Sequence, residues 1–435
     1  FGSRSRLRNF GERIAVSNGK LAKMATASRD VVLQQRDVSG LVLRLPWLTG
    51  ITSWLRWTFF RARYQGGSRV PSDGTRRRAL SLFFATAAGV YTADQLADVL
   101  QRKLIYHPHR TEEDMQSAEM EMTFARRALS EFYSMVELDY HIFTWGLLQS
   151  QALNMKGLLV APRGKSTSKH SSNAGRLWVV FGGNAMVSTD WLAFIQQLLI
   201  KSGQPVERCD AFLLLNYPGY AGNAGEPNMD LTLRSAEAGV RAALEYMRGS
   251  QAAKAAEGCS AGDGPESIAY LGHSLGCAAV LQLAARLAAW RPAWLQGTRP
   301  ASRILLSAPF TSIPAVGRAL FVEQLPLRLG RVALEAIIRT VAKCSRHVWD
   351  NERSIAMLAR TASAPSLEIA IFHGTRDEIV PVQMGRRLYK LCAATNFRAA
   401  VMIERPRAFH NNLLDEAFSE FARLIADGEM EPSTP

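Results

Sequence analysis

Residues 267–284, Ser-Ile-Ala-Tyr-Leu-Gly-His-Ser-Leu-Gly-Cys-Ala-Ala-Val-Leu-Gln-Leu-Ala, set Ser274 between Gly272 and Gly276, where a short apolar run becomes an Ala/Leu-rich one. The first run reads as a buried strand and the second as a helix. A serine at such a junction is forced into a strained backbone conformation, and its hydroxyl stands clear at the end of the sheet. Flanking glycines are needed because the chain turns too tightly there for side chains. The bland alternative is a serine at a helix N-terminus, where serine is favoured anyway. The rest of the chain decides between the two.

A nucleophilic serine needs a base and an acid that orients the base. Where a serine is presented on a strand–turn–helix junction, the partners follow it in the order acid, then histidine. Beyond Phe372 only His373 and His410 remain. Only His410, in Arg-Ala-Phe-His-Asn-Asn after the last apolar run, comes late enough to follow an acid. The acid is sought in His373-Gly-Thr-Arg-Asp-Glu-Ile-Val-Pro381, where Asp377 and Glu378 are adjacent. Asp377 is chosen because it comes first after the turn. Glu378 reads as a helix-start or surface charge, and His373 as a structural group at the strand end. Asp377 would hold the His410 tautomer and stabilise the imidazolium.

Two backbone donors would complete such a site. One is the amide after the serine, that of Leu275. The other is sought after the third strand, in Phe181-Gly-Gly-Asn-Ala185, where paired glycines let backbone approach a substrate. Asn184 is assigned that role, with Ala185 as the alternative. Donors of this kind stabilise a transition state by a few kcal/mol each.

The wider pattern supports an α/β protein. Strands are expected over 135–145, 155–160, 177–181, 211–215, 268–271, 304–307, 367–372 and 399–403. Helices are expected over 189–202, 230–249, 275–289, 316–342, 382–393 and near 412–426. Two successive strands followed by strict βα alternation imply a mostly parallel sheet with helices on both faces. The polar stretches 163–175 and 250–265 read as surface loops. The segment 311–365 reads as a small helical cap, with Val316, Leu320, Leu325, Leu329, Val332, Leu334, Ile337, Ile338 and Val341 at helical spacing.

Charge is unevenly spread over the 435 residues. Residues 1–78 hold 16 Lys/Arg against Glu12, Asp30, Asp37 and Asp73, so they carry +12 of the total +14. Basic arms of this kind serve nucleic acid, anionic membranes or targeting. No nucleic-acid motif and no zinc-type Cys/His spacing occurs, so no nucleic-acid partner is expected. The five cysteines include no C-x-x-C pair, so a disulfide scaffold is not expected.

Residues 79–93 lack any charge and follow Arg76, Arg77 and Arg78. Fifteen helical residues reach about 22 Å, short of a hydrocarbon core of about 30 Å. Extension to Leu100 supplies the length but includes Asp94 and Asp98. The expected organisation is therefore a basic extension (1–78), an apolar anchor or amphipathic helix (79–100), and a folded body (101–430). Trp47, Trp54 and Trp57 among arginines fit an interfacial segment and equally a helix packed on the body.

Read in order, several segments carry a resemblance. They are Phe-Gly-Gly-Asn-Ala, Asn216-Tyr-Pro-Gly-Tyr-Ala-Gly-Asn-Ala-Gly-Glu-Pro227, Gly-His-Ser-Leu-Gly, Ala308-Pro-Phe-Thr-Ser-Ile313, His-Gly-Thr-Arg-Asp-Glu-Ile-Val-Pro and the late His-Asn. Together they resemble the alpha/beta-hydrolase superfamily over about residues 80–428. The nearest branch is the alpha/beta-hydrolase domain-containing proteins with an N-terminal membrane anchor, related to serine aminopeptidase-like members. Leu104-Ile-Tyr-His-Pro108 resembles the strand lead-in of that branch. Departures are Gly182 in a motif that often begins His-Gly, Asn216 where an acid is usual, and Ala221 where glycine is common.

The resemblance implies a serine hydrolase that cleaves ester or thioester bonds through Ser274, His410 and Asp377 and an acyl-enzyme. No metal or organic cofactor is implied. Gly183, Ala185, Tyr217 and Tyr220 are expected to line the substrate site, and the substrate to be a small or lipid acyl compound. Peptide or amide cleavage, or a membrane-tethered binding protein without catalysis, are the alternatives. Membrane association through a single N-terminal anchor is expected.

Overall fold

Alternate residues of the apolar runs face opposite sides of one sheet, and both sides are covered. In a computed structural model the structure describes residues 98, 101–103, 105–108, 112–145, 150–163, 175–201, 210–256, 264–322, 347–426 and 430. The chain divides into two units, Phe1–Ala85 and Thr86–Pro435, and the first lies wholly outside those residues.

All eight expected strands form. They are β1 (Tyr133–Trp145), β2 (Ser150–Pro162), β3 (Arg176–Phe181), β4 (Ala211–Leu215), β5 (Ser267–His273), β6 (Arg299–Ser307), β7 (Glu368–Gly374) and β8 (Ala399–Arg405). Their order is β1-β2-β4-β3-β5-β6-β7-β8. β2 runs antiparallel to β1 and β4, and the other neighbours pair in parallel. Nine helices follow in the described residues: α1 (Glu112–Leu129), α2 (Leu192–Lys201), α3 (Met229–Ala256), α4 (Leu275–Trp290), α5 (Ile313–Gly317), α6 (Asn351–Leu358), α7 (Val382–Ala393), α8 (Leu413–Glu416) and α9 (Phe418–Ile425).

The period of two decides which helices cover which face. Val179, Tyr270, Ile304 and Ile371 meet α3, α4, α6 and α7 in one core. Trp178, Val180, Leu271, Leu305 and Phe372 meet α1, α2 and α9 in the other. All seven residues of β5 are buried, as a central parallel strand requires. The registers bring the carboxyl ends level: Phe181 pairs with Leu215 and Gly272, His273 with Ser307, and Ser307 with Phe372. Loops leaving β3, β4, β5, β7 and β8 therefore meet at one edge, where ligands bind in open α/β sheets.

The helices differ in part from the expected set. Helix α1 was not expected, because its sequence is polar and only Ala125 and Leu129 among its described side chains are buried. Of the helix expected over 316–342, the described part, 316–322, is helical. Helix α5 gives way to π-helical backbone over Arg318–Val322, and 323–346 lie outside the described residues. The end of the cap segment folds as α6, whose Ile355 and Leu358 are buried in the core beside α4 and α7.

Of the expected apolar anchor or amphipathic helix at 79–100, only Asp98 lies among the described residues. Asp98 does not sit free for an interface: His347 Nε2 donates to its carboxylate at 2.9 Å and Arg102 pairs with it at 3.0 Å. His347 is itself buried. Charge pairing with His347 and Arg102 satisfies Asp98. Among the described residues no helix is long and apolar enough to cross a membrane, while 79–97 lie outside them. Tyr106, His107 and Pro108 are irregular rather than a strand lead-in.

Candidate active site

The quoted stretch folds as a strand, one strained residue and a helix. Ser274 takes φ 52° and ψ −116°, a region in which L-residues cost about 1–3 kcal/mol and which the surroundings must impose. Its N–H donates to the Ser307 carbonyl at 2.8 Å, tying the turn to the end of β6. Gly272 has no room for a side chain, since a Cβ there would lie 2.7 Å from the Cys277 backbone. At Gly276 a Cβ would lie 2.2 Å from the Phe181 carbonyl oxygen. Both glycines are steric requirements of the turn.

The three side chains chosen from sequence meet, although 33 and 136 residues separate His410 from its partners. Ser274 Oγ is 2.9 Å from His410 Nε2, and His410 Nδ1 is 2.8 Å from Asp377 Oδ2. Asp377 Oδ1 accepts the N–H groups of Ile379 at 3.0 Å and Val380 at 2.7 Å. Burial alone would raise the Asp377 pKa. The donors His373, His410 and Val380 N–H outweigh it and hold the carboxyl below the ordinary aspartate value. An ionised carboxylate can only accept, so Nδ1 of His410 carries the proton. Nε2 is then left as an acceptor for the Ser274 hydroxyl.

The acid loop and the histidine loop touch because Gly374 is bare. A Cβ there would lie 2.2 Å from the Ala408 oxygen. His373 behaves as the structural group expected of it. Its Nε2 donates to the Val380 carbonyl at 2.8 Å and lies 3.5 Å from Asp377 Oδ2, bracing the acid loop. Glu378 is exposed.

Residues Gly182–Asn184 pass directly against the serine. A Cβ built on Gly183 would lie 3.5 Å from the Ser274 Cβ and 3.4 Å from the His273 ring. As the first helical residue of α4, Leu275 has no intrahelical acceptor for its N–H. Neither it nor the Asn184 N–H donates to an acceptor among the described residues. Ala185 is exposed on the outer side of the same turn.

Tyr217 and Tyr220 require correction. Both are fully buried, so neither offers a surface to a substrate. Tyr217 donates its hydroxyl to the Gly182 carbonyl at 2.8 Å, and Tyr220 donates to the Asn184 carbonyl. Sequence cannot tell which face of a turn is buried, and an aromatic beside glycines reads equally as pocket wall or as core. Asn216 is likewise inward, accepting the Ser188 N–H at 2.7 Å and donating to its hydroxyl at 3.0 Å. Ala221, at φ 47°, occupies the left-handed backbone that glycine would take without strain.

A sheet with one antiparallel strand in second place, in the order above, and a strained serine turn after β5 define the architecture. The chain has the alpha/beta-hydrolase fold. No family model matches it. Two Mycobacterium tuberculosis proteins, both named as uncharacterized, are 32% identical over 205 residues, which is 47% of this chain and 54% of theirs. The chain thus spans about half the length of the curated relatives it matches.

Among solved structures of hydrolases, a Pyrococcus furiosus esterase is 12% identical with a TM-score of 0.42, covering 70% of this chain and 94% of that one. A hyperthermophilic esterase from Pyrobaculum calidifontis is 13% identical with a TM-score of 0.41, covering 73% and 93%. Carboxyl esterase 2 from the fungus Tuber melanosporum is 15% identical with a TM-score of 0.41, covering 67% and 85%.

One residue of the candidate site escaped the sequence reading. His273 is buried, its Nδ1 lies 3.0 Å from Ser307 Oγ, and its ring centroid is 5.1 Å from that of His410. Burial first, then the neighbouring His410, push its pKa down to about 3, against a counteracting Asp377. It is a neutral imidazole beside His410. The only signal in the sequence was its place between Gly272 and Ser274.

Proposed function

We propose that the protein is a serine hydrolase acting on ester or thioester bonds. The observation that carries this reading is the unbroken hydrogen-bonded run from Asp377 through His410 to a serine held at φ 52°. Ser274 Oγ attacks the acyl carbonyl as His410 Nε2 takes its proton. The carbonyl oxygen becomes an oxyanion, received by the Leu275 and Asn184 amides. His410 then passes the proton to the leaving alcohol or thiol, and an acyl-enzyme forms. Water, deprotonated by the same imidazole, releases the acid and restores Ser274. Asp377 keeps Nδ1 protonated and offsets the imidazolium charge.

An apolar acyl group is favoured because Ile379 and Phe409, both exposed, sit on the loops that carry Asp377 and His410. The decisive experiment is fluorophosphonate labelling of the wild type beside Ser274→Ala. Labelling confined to the wild type is expected. A folded wild type that takes no label, or a Ser274→Ala variant labelled as strongly, would overturn the proposal. A folded but unreactive protein would instead favour a binding role on the same fold.

Membrane association is proposed for the N-terminal region, from its +12 charge and the uncharged run 79–93. Removal of residues 1–93, which leaves Asp98 and its partners in place, should move the protein from the membrane to the soluble fraction. Full-length protein soluble without detergent would refute that.

A further inference from the structure

We propose that the turn 216–220 is a two-pronged device that presets the loop of the oxyanion donor, with Tyr217 and Tyr220 as positioning residues. This rests on the hydrolase reading above and deepens it. Three successive carbonyls, of Gly182, Gly183 and Asn184, determine how the peptide planes between them lie. Each is held. The Tyr217 hydroxyl donates to Gly182 at 2.8 Å, the Met186 N–H to Gly183 at 3.2 Å, and the Tyr220 hydroxyl to Asn184.

The Gly183 carbonyl and the Asn184 N–H belong to one peptide plane, so fixing that carbonyl fixes the direction of the amide. The Asn184 side chain is also engaged, its Nδ2 donating to His107 Nδ1 at 3.0 Å. The Asn184 N–H donates to no acceptor among the described residues, and its segment abuts Ser274.

The tyrosines are themselves immobile. Tyr217 packs on Phe181, Tyr220 and Tyr106 with ring centroids 5.4, 5.2 and 6.1 Å away. The Tyr220 hydroxyl accepts the His107 N–H at 2.8 Å, and that N–H also reaches the Asn184 carbonyl at 3.2 Å. The backbone beneath is tied by Asn223, whose Nδ2 donates to the Asn216 and Tyr217 carbonyls at 3.3 and 3.5 Å. Burial pushes both phenol pKa values up, so both remain hydroxyl donors. An oxyanion donor works only if it is in place before charge develops, and misplacement by about 1 Å costs on the order of a hundredfold in rate. Hydroxyls anchored in the core supply that constraint where a loop of glycines cannot.

The test uses the full chain with Tyr220→Phe and Tyr217→Phe, each of which removes a hydroxyl and keeps the ring. With p-nitrophenyl butyrate, kcat per titrated Ser274 should fall about ten- to a hundredfold, with KM little changed. Affinity for a trifluoromethyl ketone, whose adduct oxygen would occupy the donor site, should fall by the same factor. Amide exchange of 182–186 should quicken at least about tenfold. A residue that only filled the core would lower the melting temperature and leave kcat per active site and inhibitor affinity alone. That pattern in either folded variant, or unchanged exchange of 182–186, overturns the proposal. If the wild type neither turns over nor labels, the hydrolase reading fails, and the exchange measurement still judges the clamp. Should Tyr220→Phe fail to fold, Tyr217→Phe carries the test.

Discussion

Gly276→Ala adds one methyl group where the first turn of α4 crosses the end of β3. Its Cβ would lie 2.2 Å from the Phe181 oxygen, 2.6 Å from the Gly182 oxygen and 2.7 Å from the Phe181 carbonyl carbon. Real Cβ atoms essentially never come within 3.0 Å of such atoms, so the contact must open by about 0.8 Å. The far side cannot yield easily, because Phe181 pairs with Leu215 and Gly272, and Tyr217 holds Gly182. The start of α4 must move instead, and it carries Leu275 and Ser274. Overpacking of this kind costs about 1–3 kcal/mol of stability. A displacement near 1 Å at the reacting atoms costs on the order of a hundredfold in rate.

Urea unfolding measures the first quantity, and fluorophosphonate labelling rate with p-nitrophenyl butyrate turnover measures the second. Gly249→Ala is the matched control. Gly249 is exposed within α3, with nothing within 4 Å of its built Cβ. It should gain about 0.5–1 kcal/mol from reduced unfolded-state freedom and keep full activity. A Gly276→Ala protein with wild-type midpoint and wild-type labelling rate would refute the close-approach argument.

Three other perturbations follow from the geometry. His273 binds its proton at about pH 3 in the folded state and near 6.5 unfolded, so its contribution is complete above pH 6.5 and is lost as pH falls toward 3, by up to about 1.4 kcal/mol per pH unit. The depressed Asp377 adds a loss in the same direction, beginning as pH approaches its unfolded value of 3.8. In urea titrations from pH 7 to 4.5, His273→Gln should lower the dependence of stability on pH by close to one proton, and equal slopes would contradict the buried neutral imidazole. Ser274→Gly should abolish labelling and stabilise the fold by about 1 kcal/mol through release of backbone strain, read as a raised melting temperature; a lowered one would mean that the turn is not strained. Glu368→Ala should cost about 3–5 kcal/mol, since it strips Arg303, whose side chain is 6% exposed, of its main counter-charge; a loss under 1 kcal/mol in urea unfolding would mean that solvent reaches the site.

Much of the architecture was legible in the chain because periodicity is a local property. All eight strands announce themselves as apolar runs, and α7 has the expected bounds of 382–393. The serine turn was legible because only a tight backbone needs Gly272 and Gly276 so placed. Asp377 and His410 were legible because chain order follows strand order, so late loops must carry them. Helix α1 was not, because most of its surface faces water and its apolar signal is weak. Nor was the break after α5, where the backbone turns π-helical within a run of apolar residues.

What the sequence left open is which partner each polar group finds. Asp98 read only as a charge that a longer apolar span would include; the fold sets His347, far along the chain, beside it. Tyr217 and Tyr220 read as pocket residues until their hydroxyls met the Gly182 and Asn184 carbonyls. The sequence by itself determined the sheet, the serine turn and the identity of the three side chains that converge on it. The tertiary structure alone decided which of the remaining side chains face the site and which stand behind it. The physical reason is that hydrophobic spacing is written locally, whereas these hydrogen bonds join residues 35 to 249 positions apart, which meet only once the chain has closed on itself.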